Sequence, residues 1–171
     1  MSKKMGFFVF KPDSSAEKVN AILPMVDVVA SLVIAEGRIL HVWNEKWGSF
    51  ALPTTKRRSW EDPNAVKGSV REEDWEDACI RAAAEALGRT ITEQPEEIGE
   101  IPEFQQSDRD GAWKRYRLRA YRFEFDSAPE VHPVRIHEWL SVEQVLDDSR
   151  RPISPTARHV ISELQLKGVI E

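Results

Sequence analysis

Residues 74–88, DWEDACIRAAAEALG, limit most tightly what this chain can fold into. At helical spacing Trp75, Cys79, Ala82, Ala83, Ala86 and Leu87 fall on one stripe, with Asp77, Arg81 and Glu85 on another side. A stripe of mostly small residues suits a helix laid directly on a sheet. Gly88 stands just past the last periodic residue, where a left-handed backbone ends a helix at least cost. The spacing predicts a helix from about 74 to 87.

The sheet under such a helix is readable nearby. Residues 26–35, VDVVASLVIA, are rich in β-branched side chains and read as a buried strand. Glu36 and Gly37 make a tight turn, and residues 38–43, RILHVW, return as the second arm of a hairpin. Residues 47–53, WGSFALP, read as a third short strand ended by proline, and the polar stretch 54–70 reads as a loop. Beyond the helix, residues 97–103 and 112–125 read as strands around the polar turn SDRDG. In the second, Trp113, Arg115, Arg117 and Arg119 share one face and Tyr116, Leu118 and Ala120 the other. Residues 138–146 pass from strand end to helix start with Ser141 as the cap. Ser154 and Pro155 open a last helix over 156–166 that Gly168 stops. The irregular alternation of strands and helices favours a mixed α/β sandwich over a doubly wound sheet.

Composition excludes several function classes. Of 171 residues, 41% are apolar and 31% charged, the balance of a globular domain. The net charge of −5 argues against general nucleic-acid binding, because phosphate backbones reward clustered cations. It leaves room for a small anionic ligand held by local cations. Cys79 is the single cysteine, so no internal disulfide or cysteine-rich metal site can form. No stretch approaches the ~20 apolar residues of a membrane span, and residues 7–10 are too short for a signal-peptide core. The expectation is a cytoplasmic protein: an N-terminal extension over 1–24, contributing at most an edge strand, and a single domain over 25–171.

The residues around the helix resemble the Nudix box, G-x5-E-x7-R-E-U-x-E-E-x-G-U with U apolar. Glu73 and Arg81 have the seven intervening residues of that pattern, Glu85 and Gly88 follow in register, and Ala83 takes the first U position. Lys67 stands where the opening glycine belongs, with Gly68 one place late. Ala82 and Ala86 replace two of the acids, and Arg89 replaces the final apolar residue. The hairpin, the WGSFALP segment, Thr54-Thr55-Lys56 and the pair Trp139 and Glu143 are similar to other Nudix segments in the expected order, over roughly residues 25 to 165.

This resemblance implies a Nudix-like α/β/α sandwich with a mixed β-sheet. It also implies hydrolysis of a nucleoside diphosphate linked to another moiety, with Mg²⁺ or Mn²⁺ as cofactor. A hard divalent cation stabilises charge developing on diphosphate oxygens and wants several carboxylates. On this helix Glu85 is the one metal-side acid left, so Glu85 is the candidate metal ligand, and Glu73, Arg81 and Glu85 are the candidate catalytic residues. The resemblance pairs Glu73 with Arg81. Acids that could substitute for the lost ones are Glu72, Glu76, Glu100, Glu103, Asp108 and Asp110. Lys56, Arg57 and Arg58 follow the third strand where the family binds its diphosphate, and arginine's planar fork suits phosphate.

Two readings stand. One is a Nudix-fold binder of a nucleotide-like ligand or a partner, with weak or no metal-dependent turnover and no required cofactor. The other is an active diphosphatase with substitute metal ligands. Chance similarity in an unrelated α/β protein is a third and weaker reading. A homodimer is compatible with each. Trp43, Trp75 and Trp139 are expected in the core, and Trp47, Trp60 and Trp113 near turns. The arginines of residues 115–119 either line a groove or face acids on a neighbouring strand, the commoner case.

Overall fold

The computed structural model describes residues 8–9, 23–61, 69–107, 111–147 and 151–171. The apolar run expected to form a strand becomes β2 (Met25–Ala35), and its partner becomes β3 (Arg38–Asn44). Glu36 and Gly37 between them have φ of 52° and 72°. Two left-handed residues in a row give a turn whose twist matches that of the strands it joins. Only Ile34↔Ile39 and Ala35↔Arg38 pair before the arms diverge. The opened edge of β2 then takes β5 (Thr54–Lys56), with Val28 opposite Lys56 and Ala30 opposite Thr54.

On its other side β2 runs parallel to β9 (Trp113–Phe125), from Met25 beside Arg115 to Ala35 beside Phe125. β8 (Glu96–Ser107) pairs antiparallel with β9, shifting register at Glu97/Gly99 and at Ile101/Phe104. β1 (Phe8–Val9), within the N-terminal segment expected to contribute at most an edge strand, lies on the outer edge of β8; residues 1–7 and 10–22 lie outside the described ones. β10 (His137–Leu140) flanks β3, giving the order β1-β8-β9-β2-β3-β10 with β4 (Ser49–Ala51) also on β3. Parallel and antiparallel pairs coexist, so the sheet is mixed.

Both faces are covered, as the alternation in the strands demands. Val29 and Val33 of β2 face one side, and Ala30 and Leu32 the other. The first side carries α1 (Trp75–Leu87), whose buried residues are Ala78, Cys79, Ala82, Ala83, Ala86 and Leu87. The small stripe lets the helix settle close enough for Ser31 Oγ on β2 to donate to Cys79 O at 2.8 Å. Gly88 ends α1 at φ 71°. The second side carries α2 (Val142–Asp147) and α3 (Pro155–Leu166). Ser141 caps α2, its Oγ accepting from Gln144 N while Gln144 Oε1 accepts from Ser141 N. That reciprocal pair satisfies two otherwise orphaned donors. Ser154 Oγ caps α3 by accepting from Ala157 N at 3.0 Å. The result is an α/β/α sandwich. No described helix is long and apolar enough to cross a membrane.

Two expectations are corrected. The stretch 54–70 is not all loop: β5 is followed by β6 (Ser59–Glu61), which pairs with β7 (Val70–Glu72) as a separate two-stranded sheet. Every residue of β6 and β7 is exposed, so no apolar alternation announces them. Residues 62–68 lie outside the described residues. Trp75 and Trp139 pack against the core from half-buried positions, as expected, whereas Trp43, expected in the core, is half-buried outside it. Trp43 packs edge-on to Phe50, and Trp75 lies under the guanidiniums of Arg57 and Arg119 at 4.8 and 4.4 Å.

His41 is fully buried on β3; its Nδ1 meets Ile39 O at 3.0 Å, and its Nε2 has no hydrogen-bond partner among the described residues. Burial disfavours the charged ring and lowers its pKa from 6.5 to about 4. Between those values the unfolded chain binds a proton that the folded chain does not, so stability falls as pH drops from 6.5 toward 4. The full shift corresponds to about 3 kcal/mol. His41→Leu is expected to flatten that part of the acid limb in urea denaturation measured across this range. An unchanged pH slope would refute the assignment.

Candidate functional site

Two cavities adjoin along β4 and the start of β5, sharing Asn44, Ala51, Leu52 and Thr54 in their walls. The first, about 320 Å³, lies beside α1 and is lined by Ala82, Glu85 and Ala86 together with Glu45 and Arg135. The second, about 310 Å³, lies toward α3 and is lined by Trp47, Phe104, Tyr116, Gln106 and Lys56 among others. Phe104 and Tyr116 stack with centroids 5.6 Å apart. One cleft thus joins a polar half beside α1 to a half with aromatic walls.

Glu73 lies just before the helix and Arg81 two turns into it. Arg81 Nη2 meets Glu73 Oε1 at 2.9 Å and Nε meets Oε2 at 3.2 Å, a two-point pair with both side chains mostly buried. The same guanidinium donates to Thr55 Oγ1 at 2.8 Å and to Lys56 O at 2.9 Å, and Arg58 N donates to Glu73 Oε1 at 3.1 Å. The pair therefore fastens β5 and the following residues to the start of α1. Arg81 beside it holds the Glu73 carboxyl below its usual range, and Glu73 in turn raises the Arg81 guanidinium.

Glu85, one turn further along α1, lines the α1 cavity. Its side chain is 53% exposed and lies 3.7 Å from Arg81. Ala82 and Ala86, on the same wall, add no ligand atoms. The substitute acids are not gathered there. Glu72 pairs with Arg57, Glu100 with Arg119 and Glu103 with Arg115, while Glu76 is exposed in the first turn of α1. Asp108 and Asp110 lie outside the described residues. Among the described residues no group of three His, Cys, Asp or Glu side chains could hold a metal ion. A divalent cation keeps its hydration shell unless several oxygens replace it, so the donor set on this helix does not fit Mg²⁺ or Mn²⁺.

The basic residues divide. Lys56, at the end of β5, lines the aromatic cavity, and Arg58 is exposed. Arg57 is turned inward, bonded to Asp27 and Glu72 at 3.1 Å each, donating to Glu73 O and stacked over Trp75. The arginine stripe of β9 faces acids: Arg117 meets Asp27 on β2 at 2.7 Å, and Arg119 and Arg115 meet Glu100 and Glu103 on β8. Trp60 is exposed under Arg71, and Trp113 is half-buried. Glu45 and Arg135 escape sequence reasoning because they sit outside helices and strands, with no periodicity to mark them.

No family model matches the chain, and no curated protein matches it. Solved structures do. The MutT protein from Methanosarcina mazei Go1 superposes with a TM-score of 0.59 at 17% identity, over 86% of this chain and 97% of that one. The Nudix domain of Shewanella oneidensis NrtR, complexed with ADP ribose, gives 0.52 at 14% identity over 92% and 99%. A bifunctional NMN adenylyltransferase/ADP ribose pyrophosphatase from Francisella tularensis, complexed with AMP and a manganese ion, gives 0.56 at 17% identity over 90% of this chain and 44% of that one. These likenesses establish the fold and leave the activity to be argued from the residues.

Proposed function

On a Nudix fold whose box helix keeps its ion pair and lacks two acids, we propose a binder of a small nucleotide-like ligand with weak or no metal-dependent diphosphatase activity. The carrying observation is the α1 wall of the cleft, where Ala82 and Ala86 flank Glu85 and leave it the one carboxylate that this helix contributes to the cavity lining. The remaining architecture suits a ligand with a ring and an anionic group. The half with aromatic walls, where Trp47 and Tyr116 stand beside Gln106 and Asn44, offers apolar faces and amide groups to a base. Lys46 and Lys56 in its wall supply positive charge near an anion, whereas Arg57 is committed to Asp27 and Glu72. Glu73 and Arg81 shape the cleft rather than react. The ligands named for the structural neighbours, ADP ribose and AMP, are of the proposed chemical class.

The test pairs binding with turnover. AMP, ADP and ADP-ribose are titrated calorimetrically, then incubated with Mg²⁺ and with Mn²⁺ and followed by product chromatography. The expected result is saturable binding of at least one nucleotide with turnover well below ~1 s⁻¹, at the bottom of the ordinary enzyme range. Turnover above that rate on any of them, or no binding of any, overturns the proposal.

A further inference from the structure

The α1 cavity lacks two acids on one wall and carries a cation on another. We infer that Arg135 binds the ligand's phosphate there directly, so that anion binding at this cavity needs no divalent metal. The inference rests on the nucleotide-ligand reading and names the group that holds the phosphate.

The segment between β9 and β10 is pinned at both sides of Arg135. His132 N donates to Ala86 O at 3.4 Å, and the His132 ring packs so close to Gly88 that a Cβ added there would lie 2.5 Å from Cδ2. Arg135 N donates to His132 O at 2.9 Å, and Trp43 N donates to Ile136 O at 2.8 Å. The backbone is thus fixed against both the end of α1 and β3. The side chain, by contrast, is uncommitted: among the described residues its guanidinium makes no hydrogen bond or ion pair. Arg57, Arg81, Arg117, Arg119 and Arg122 are all paired with carboxylates.

An arginine on a held backbone, with its fork open to a cavity, has the geometry for two parallel bonds to a phosphate. The α1 wall agrees. With Ala82 and Ala86 there is no carboxylate cluster to demand a bridging cation before an anion can enter. Glu45 and Glu85 remain in the lining, and Glu85 is drawn toward Arg81. Their repulsion weakens an anion and would strengthen a cation, so charge removal has opposite signs for the two kinds of occupant.

The experiment is calorimetric titration of the full chain with ADP, inorganic pyrophosphate and adenosine, in EDTA and then in excess Mg²⁺. Melting curves check that each variant is folded. Expected are ADP affinities within about twofold with and without metal, and a loss of about tenfold or more in Arg135→Ala. Arg135→Lys should fall between, because an ammonium lacks the fork. Glu85→Gln should bind ADP more tightly, and adenosine affinity should not respond to Arg135→Ala. ADP or pyrophosphate binding that requires Mg²⁺ overturns the inference and leaves the nucleotide reading standing. So does an Arg135→Ala effect that is absent or equal for ADP and adenosine, or a weaker Glu85→Gln. Failure of all three compounds to bind the wild type overturns the nucleotide reading, and the inference falls with it.

Discussion

A divalent-cation site is expected to appear when Ala82 and Ala86 are replaced together by glutamate. Positions three and four apart on a helix share a face, and Ala82, Glu85 and Ala86 already line one cavity. Three carboxylates would then converge where one now stands, enough to displace part of a hydration shell. Titration with Mn²⁺ should pass from no saturable binding to one site with a dissociation constant of ~0.1–1 mM. Both alanines are 3% exposed, so the added side chains have to turn outward along the cavity and will cost some stability. The metal should return part of it: at 10 mM, binding of this strength stabilises the folded state by about 1.4 to 2.7 kcal/mol. A double variant that folds, shows no saturable binding and gains no stability from Mn²⁺ would mean that more than these two positions has changed. The candidates are then Lys67 at the glycine position of the box and the segment carrying β6 and β7.

The second large effect concerns Arg81. Arg81→Ala removes both bonds to Glu73 and those to Thr55 Oγ1 and Lys56 O; the Glu73 side chain, 12% exposed beside Arg81, then keeps Arg58 N as its hydrogen-bond partner among the described residues. Removing one partner of a poorly solvated pair leaves the other charge uncompensated. The expected loss is about 2–3 kcal/mol, or a fall of roughly 5–10 °C in Tm for a chain this size. The pH dependence has a definite sign. The folded pKa of Glu73 is depressed below 4.5, chiefly by its hydrogen bond to Arg81. Its contribution is therefore fully present above that value and is lost as pH falls through the folded pKa. The stability difference between wild type and Glu73→Gln, from urea denaturation, should shrink below about pH 4.5. A difference under ~0.5 kcal/mol at neutral pH would reduce the pair to an ordinary surface ion pair.

How far the chain could be read in advance follows from what local patterns report. The helix and its glycine stop were legible because burial recurs at helical spacing and Gly88 is the residue for a positive φ. Alternation in β9 told which side chains are buried, and Tyr116, Leu118 and Ala120 are. The expectation that its arginines face acids holds, but their partners were not readable: Arg117 meets Asp27, ninety positions away. Strands β5, β6 and β7 went unread because three-residue segments with mostly exposed side chains carry no period. Arg57 looked like a phosphate ligand from its place after the third strand, yet Asp27 and Glu72 hold it inward. Arg135 looked like nothing at all.

The order of residues along the chain settled the mixed α/β class and the helix that covers the sheet, because spacing decides which side chains share a face. The α/β/α layering, the Glu73–Arg81 pairing and the two alanines where acids would stand were readable only through the resemblance of residues 67–89 to the Nudix box. Tertiary structure alone decided that β2 lies parallel to β9, that Glu45 and Arg135 look into the same cavity as Glu85, and that an aromatic cavity adjoins it. Those facts depend on which segments meet across the sheet. Many distant backbone and side-chain interactions set those meetings together, and none of them leaves a periodic mark in its own stretch of sequence.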